Sequence, residues 1–261
     1  MKLRALAALL FVAAFTGCAT HLSYIPPAPG VALQQSSKVG LLVALDSTAK
    51  HVHVGTTVFN NFTRDWQLPF DLAAHAGESF AGRLRASGFK VVRLDPAVVP
   101  PREVDALIVP EWGEWQENPE QAAILRSLKD EQGLAALVVV HGERIRRDPA
   151  CAGGPCSEFV NLPTGLYTRS YLTMRNFKPV QGMKFKAVAD IETRVFLLSP
   201  PADLSVYEPF AGVARNRVID AFVHPADYRN MSSEELQPVA DWIRTYVDRM
   251  AEETAVVLAG R

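Results

Sequence analysis

Short apolar runs and amphipathic segments alternate along residues 38–141. Apolar positions three and four residues apart predict a helix from Pro69 to about Gly88 and another over residues 119–132. Four apolar runs predict strands at residues 38–45, 90–94, 104–109 and 134–141. The continuous run at residues 38–45 predicts a strand buried on both faces, and the run at 134–141 predicts another buried strand. The alternating residues 51–62 predict either an exposed strand or a loop. This order of elements is typical of a sheet with helices packed on it.

The pattern changes in the second half of the chain, where apolar and polar residues alternate over longer stretches. Residues 185–198 predict one long strand with a solvent-facing side. Shorter stretches predict further strands at residues 159–162, 167–174 and 205–219. An apolar stripe over residues 233–258 predicts a long helix, and Ser232 and Glu235 have the spacing of a capping box at its start.

Together these elements predict a mixed α/β fold. A mixed sheet is flanked by helices, and an antiparallel hairpin region precedes the long C-terminal helix. Residues 38–261 contain no internal repeat and no clear second linker, so we expect one globular domain. In the hairpin region, Arg169 and Arg175 fall on one face of their strand. The sequence therefore shows no pair of strands with an apolar outward face that could enter a membrane.

The first eighteen residues have the pattern of an export signal. Lys2 and Arg4 give a cationic start, eleven apolar residues follow, and Thr16 and Gly17 lead to Cys18. An apolar run of this length is too short to cross a bilayer core of about 30 Å. We therefore predict a signal peptide over residues 1–17.

The junction of Gly17 and Cys18 resembles the lipobox of bacterial lipoproteins. In that family the chain is cut before the cysteine, which is then acylated, so the resemblance implies a lipid anchor on Cys18. By the family's sorting rule, Ala19 implies the outer membrane and its periplasmic face. The order of elements is also loosely similar to α/β modules of curli-secretion and polysaccharide-secretion lipoproteins, at the level of fold alone. The alternative is an ordinary secretory signal that is removed together with Cys18.

Residues 18–37 contain Pro26, Pro27 and Pro29 and predict an extended tether.

The charge of the mature chain limits its partners. Removal of Lys2 and Arg4 with the signal leaves 25 basic against 28 acidic residues. This balance gives no reason to expect nucleic acid as a partner.

The two remaining cysteines are Cys151 and Cys156, in the segment CAGGPC. An exported protein meets an oxidising compartment, and the Gly and Pro residues between the thiols allow a tight turn. We predict a local disulfide. A redox or metal pair is the alternative, although the CxxC spacing of such pairs is missing.

A polar and aromatic cluster follows the predicted strand at residues 104–109. It comprises Glu111, Trp112, Glu114 and Trp115. Two carboxylates beside two tryptophans could bind a glycan, or cleave one if they flank the scissile bond. We prefer the interpretation that the rings close the sheet edge while the carboxylates face solvent.

His51 and His53 form a second candidate site, because alternate residues of a strand share a face. With a third ligand from His75, His141 or a carboxylate, they could bind a metal ion. We prefer two histidines on a solvated strand face. Motifs for nucleotide binding, hydrolase nucleophiles and zinc proteases are missing.

We therefore expect a non-enzymatic structural or interaction module, held at the envelope membrane by its lipid and bound to an envelope protein partner. No cofactor is expected. The alternatives are a glycan-binding or glycan-cleaving protein and a lipoprotein that binds a metal or small ligand.

Overall fold

The computed structural model describes residues 25–30, 32–96, 100, 107–142, 164–175, 177–210, 218–220 and 227–260. The predicted lipid anchor on Cys18 and the predicted disulfide between Cys151 and Cys156 lie outside this part of the chain, as does the strand predicted at residues 159–162. Within it, the chain has the mixed α/β fold that the sequence predicts.

Five strands form a central mixed sheet. Their spatial order is β4 (Lys90–Leu94), β1 (Lys38–Ala44), β7 (Ala136–His141), β10 (Glu192–Leu198) and β11 (Pro201–Asp203). β1 is parallel to both β4 and β7, while β10 is antiparallel to both β7 and β11.

Five further strands form a second mixed sheet. Their order is β3 (Phe62–Gln67), β2 (Thr48–Val54), β8 (Gly165–Arg175), β9 (Lys178–Val188) and β12 (Val218–Asp220). β2 and β8 are parallel, and the other pairs are antiparallel. A separate hairpin consists of β5 (Ile108–Glu111) and β6 (Glu114–Glu117).

The chain passes directly between the two five-stranded sheets at two points. Residues 45–47 join β1 to β2, and residues 189–191 join β9 to β10. The single strand predicted at residues 185–198 is therefore wrong, because this stretch supplies one strand to each sheet. Alternation did not reveal the break, since Ala189 and Ile191 in the joint are buried in the same core as Phe185 and Val195.

Two other strand predictions also need correction. Among the described residues of the stretch predicted at 205–219, the strand is the short β12 at its end, and β11 precedes the stretch. The stretch predicted as a strand or a loop at residues 51–62 contains the end of β2 and the first residue of the edge strand β3.

Two helices pack together on one side of the central sheet. α1 (Leu72–Ala86) contacts β1 and β4, while α3 (Ser233–Leu258) contacts α1 and, in the second sheet, β8 and β9. Their main core takes Leu41 from β1 and Val138 from β7, and it continues onto the inner face of the second sheet. The opposite face of the central sheet packs Leu42 and Leu137 against Leu125 of α2 (Ala122–Arg126) and the residues around it. Adjacent residues of β1 thus enter different cores, which confirms the prediction of a strand buried on both faces.

Helix ends follow their capping residues. Ser232 and Glu235 form both bonds of the predicted capping box, so α3 begins at Ser233. α1 begins at Leu72 rather than at Pro69, because the Asp71 carboxylate accepts a hydrogen bond from Ala74 N at 3.0 Å.

In the described part of the chain, none of the helices has both the length and the apolar character needed to cross a bilayer.

The second half of the predicted tether packs on the body. Pro26 is buried and its carbonyl accepts a hydrogen bond from Tyr207 Oη at 2.5 Å. Leu33 N donates to Leu258 O at 2.9 Å, and Ser36 N donates to Gly88 O at 2.8 Å. These bonds fix the described residues from Ile25 onward, because each ties the segment to a different element.

Candidate functional site

His51 and His53 point into the body of the protein. Their side chains are 5% and 1% exposed, so the predicted solvated strand face is wrong. Strand β2 turns its valines, Val52 and Val54, to the more open face instead. The imidazoles tolerate burial because Thr168, on the neighbouring strand β8, supplies a polar partner to both.

The Thr168 hydroxyl joins the two rings. Its Oγ1 lies 3.0 Å from His51 Nε2 and 2.8 Å from His53 Nδ1, and Ser170 Oγ lies 3.4 Å from His53 Nε2. The Thr168 hydroxyl has one proton to donate, to a ring nitrogen or to Val52 O at 3.5 Å, and its oxygen can accept from both rings. Each of these arrangements is compatible with two neutral imidazoles. We define His51, His53, Thr168 and Ser170 as the histidine cluster.

Aromatic rings cover the histidine cluster. The centroid of the His53 ring lies 5.1 Å from that of Phe62 and 4.5 Å from that of Tyr228, and the latter two are 6.3 Å apart, so the three rings pack as a triangle. Phe62 also meets the edge of His51 at 5.1 Å. Arg64 links β3 to the residues that follow Tyr228, because its guanidinium donates to Arg229 O and, at 3.2 Å, to Asn230 Oδ1.

This environment keeps both rings neutral. Burial lowers the pKa of His51 from its usual 6.5 to about 4, and the charges of His53 and Arg64 act in the same direction. Burial also lowers the pKa of His53, assisted by Arg229. The cluster is therefore uncharged at neutral pH, and positive neighbours oppose its protonation.

The predicted metal ligands do not come together. His75 Nε2 lies 3.0 Å from Asp248, between α1 and α3, and His141 Nδ1 donates to Gly142 O at 2.9 Å in the central sheet. Among the described residues, no group of three His, Cys, Asp or Glu side chains is placed to hold a metal ion. The histidine pair bonds to hydroxyls instead.

The cluster of residues 111–115 forms a hairpin turn rather than a loop. Trp112 and Gly113 connect β5 to β6 with φ of 53° and 85°, the left-handed geometry of a type I′ turn. Glu111 and Glu114 face each other in the register, and both are exposed. Trp112 is 85% exposed at the apex.

The two tryptophans of this hairpin have different roles. Trp115 is half-buried against both cores, and its Nε1 donates to Tyr207 Oη at 2.9 Å. The prediction that both rings close the sheet edge therefore applies to Trp115 and is wrong for Trp112. The apex of this hairpin offers a ligand one exposed ring and two exposed carboxylates. Ligand binding at Glu111, Trp112, Glu114 and Trp115 stays a prediction.

Sequence reasoning missed the hydroxyl partners of the histidines. Thr168 and Ser170 are spaced two apart, as are His51 and His53, so each pair occupies one face of its strand. Only the parallel register, which sets His53 beside Thr168, shows that the two pairs share the same face. The sequence does not indicate Tyr228 either, because its contact with His53 joins residues far apart in the chain.

Asp190 is a second titratable group that the sequence did not indicate. It lies in the joint between β9 and β10, where its N–H donates to Thr164 Oγ1 at 2.9 Å. Burial raises the pKa of its carboxyl to about 7, and the charge of Glu192 acts in the same direction.

His51 and Asp190 predict opposite dependences of stability on pH. The His51 imidazole takes up a proton below pH 6.5 in the unfolded chain but only below about pH 4 in the folded protein. Its contribution to the free energy of unfolding is therefore lost as pH falls from 6.5 to 4. The folded Asp190 keeps its proton up to about pH 7, so its contribution is lost as pH rises from 3.8 through 7. We expect a shallow dependence for the wild-type protein in this window.

Urea denaturation of Asp190→Asn at several values between pH 4 and 7.5 checks this. Without the carboxyl, stability should rise more steeply with pH between 4 and 6.5 than in the wild-type protein. The difference between the two curves isolates Asp190, because all other groups are common to both. Parallel curves for the variant and the wild-type protein contradict the assignment.

No protein-family model matches the sequence, and no curated protein matches it. Among solved structures, the chain is similar to that of the hypothetical protein CT253 from Chlamydia trachomatis. The two share 13% identity, with a TM-score of 0.32, and the alignment covers 84% of this chain and 98% of that one. Similarity at this level supports no inference about function.

Proposed function

We propose that the protein is a lipid-anchored envelope protein whose body is a non-enzymatic interaction module at the periplasmic face of the outer membrane. The observation that carries the proposal is the sequence of the first eighteen residues, in which a cationic start and an apolar run end at Gly17 and Cys18. Two or more acyl chains on Cys18 would hold the chain stably at a membrane.

The geometry of the candidate sites supports an interaction module. The imidazoles of His51 and His53 are buried and hydrogen-bonded to hydroxyls, which is typical of a structural cluster. Trp112, by contrast, exposes a large ring from a left-handed position that favours Asn or Gly. A side chain that strains its turn and adds little to the core suits contact with a partner.

Cys18→Ala tests the anchor. We expect the variant either to leave the membrane fraction or to accumulate as uncleaved precursor, because the acylated sulfur is lost. Cell fractionation and the intact mass of the amino terminus give the readout. Cys151→Ala is the matched control and should stay with the membrane.

A mature Cys18→Ala protein that remains in the membrane fraction would refute the proposed anchor. In the same experiment, affinity purification of the wild-type protein from membranes tests the interaction. A protein that copurifies with the wild-type chain and is lost with Trp112→Ala supports the module. A product that purifies alone counts against it.

A further inference from the structure

Exposed apolar side chains concentrate at one end of the second sheet. Phe59 is 95% exposed and Phe177 is 97% exposed, while Leu172 and Tyr171 are 66% and 38% exposed. Tyr171, Leu172 and Phe177 lie on the hairpin of β8 and β9 beyond Arg169, the last residue that pairs with β2, whereas Phe59 lies in the β2–β3 connection. We call the three hairpin residues the apolar tip.

The hairpin of β8 and β9 carries the apolar tip away from the body. Pairing of β8 with β2 ends at Arg169, and pairing of β9 with β12 begins at Lys186. Beyond these points, the register from Ser170 to the turn continues as a two-stranded ribbon among the described strands. Six residues of extended chain give it a length of about 20 Å.

Side chains pack across the ribbon. The Tyr171 ring covers Gly182 on the opposite strand, where a β carbon would come within 2.3 Å of the ring. The ammonium of Lys184 lies over the same ring, 5.9 Å from its centroid. At the apex, Phe177 holds a φ of 60°, a left-handed conformation that a bulky side chain rarely adopts.

Positive charge surrounds the apolar tip. Residues 164–188 contain five Lys and Arg side chains and no acidic residue. Arg175 and Lys178 are paired across the ribbon on either side of the turn, and both are exposed. The net charge of the whole chain is close to zero, so this segment is a local cationic region rather than a part of a basic protein.

We propose that the apolar tip docks on an anionic lipid surface. Phe177 enters the interfacial region of the bilayer, and Arg175 and Lys178 contact the phosphates of the headgroups. Aromatic side chains favour this depth, and basic side chains near it gain from the negative surface potential. The exposed Phe177, flanked by two basic side chains, matches a lipid surface, which offers apolar chains beneath anionic phosphates.

The proposal rests on the proposed function in one respect, that a membrane is close by. An acylated Cys18 precedes Ile25 by seven residues, a span of at most about 25 Å of extended chain. Because Pro26 is already bonded to the body, the body cannot move far from the lipid that holds the anchor.

Phe177→Trp in the full-length acylated protein tests the docking. The protein is placed on phosphatidylcholine vesicles with brominated acyl chains, prepared with and without phosphatidylglycerol. We expect the emission of the introduced tryptophan, after subtraction of the wild-type spectrum, to shift to the blue and to be quenched on the anionic vesicles. High salt should reverse the change, because it screens the surface charge.

Charge reversal supplies the specific variant and its control. Arg175→Glu with Lys178→Glu, in the Phe177→Trp background, should lower the ratio of docked to undocked tip by about 25-fold or more, since each basic side chain contributes about fivefold. Arg85→Glu with Lys90→Glu makes the same change in net charge at exposed positions of α1 and β4 and should leave the ratio unchanged.

Identical emission on neutral and anionic vesicles overturns the proposal. So does an equal loss in the Arg85→Glu, Lys90→Glu control. A tip that responds to protein concentration rather than to lipid indicates a second copy as its partner and overturns it too. Flotation with neutral vesicles reports the acyl anchor separately, so failure of the anchor and failure of the docking are distinguishable.

Discussion

Thr168→Val should lower the free energy of unfolding by about 2–4 kcal/mol, because each of two buried imidazoles loses a hydrogen bond and an unsatisfied buried group costs about 1–3 kcal/mol. Valine keeps the shape of threonine but can neither donate to nor accept from His51 and His53. For a chain of this size we expect the melting temperature to fall by roughly 5–15 °C. Thermal denaturation followed by circular dichroism gives the measurement.

Thr193→Val is the matched control for this substitution. Thr193 is also buried, at 4% exposure, but its Oγ1 finds no hydrogen-bond partner in the described ranges of the chain. The same chemical change should therefore be neutral or stabilising, since it removes an unsatisfied hydroxyl. Equal destabilisation by the two variants would show that the histidine cluster contributes nothing specific.

Gly165→Ala should destabilise the protein by about 3 kcal/mol or more, through overpacking and backbone strain together. An added β carbon would lie 2.2 Å from Lys50 O and 2.8 Å from Lys50 N, and both of these atoms are backbone. The φ of Gly165 is 138°, which an alanine adopts only with strain. Urea denaturation gives the free energy, and hydrogen exchange should show loosened amides in β2 and β8.

Gly82→Ala is the matched control for Gly165→Ala. Gly82 is exposed within α1, and a β carbon there would meet nothing within 4 Å. This change should stabilise the protein by about 0.5–1 kcal/mol, because alanine favours the helix. If Gly165→Ala melts within a degree of the wild-type protein, the close approach of β8 to β2 is wrong.

The parts of the fold that were predicted correctly have local causes. A strand buried on both faces needs a continuous apolar run, and β1 and β7 show one in the sequence alone. α3 combines an apolar stripe with a capping box, so both its face and its first residue could be predicted. These signals need no knowledge of the partner elements.

The incorrect predictions concern features that depend on strand pairing. Residues on the side of His51 alternate along β2 with residues on the side of Val52, and by sequence either side could have faced inward. The choice depends on Thr168, which lies 117 residues from His51 along the chain. In the same way, Ala189 and Ile191 keep their alternation through the joint between two sheets, so the pattern did not mark where β9 ends.

At the candidate site of residues 111–115, the sequence predicted some features correctly and one incorrectly. Its position after an apolar strand was predicted, and its carboxylates are exposed as expected. The separation of Trp112 from Trp115 depends on a two-residue turn, which sends one ring to the apex and the other into the core. Composition alone could not distinguish the two rings.

The two short joints between the sheets have a mechanical consequence. Each joint has only three residues, 45–47 and 189–191, so the two sheets cannot separate far at these points. α3 belongs to the core that continues from the central sheet onto the second sheet, and it contacts β8 and β9. A change in the angle between the sheets would separate apolar side chains of this shared core, which opposes hinge motion between them.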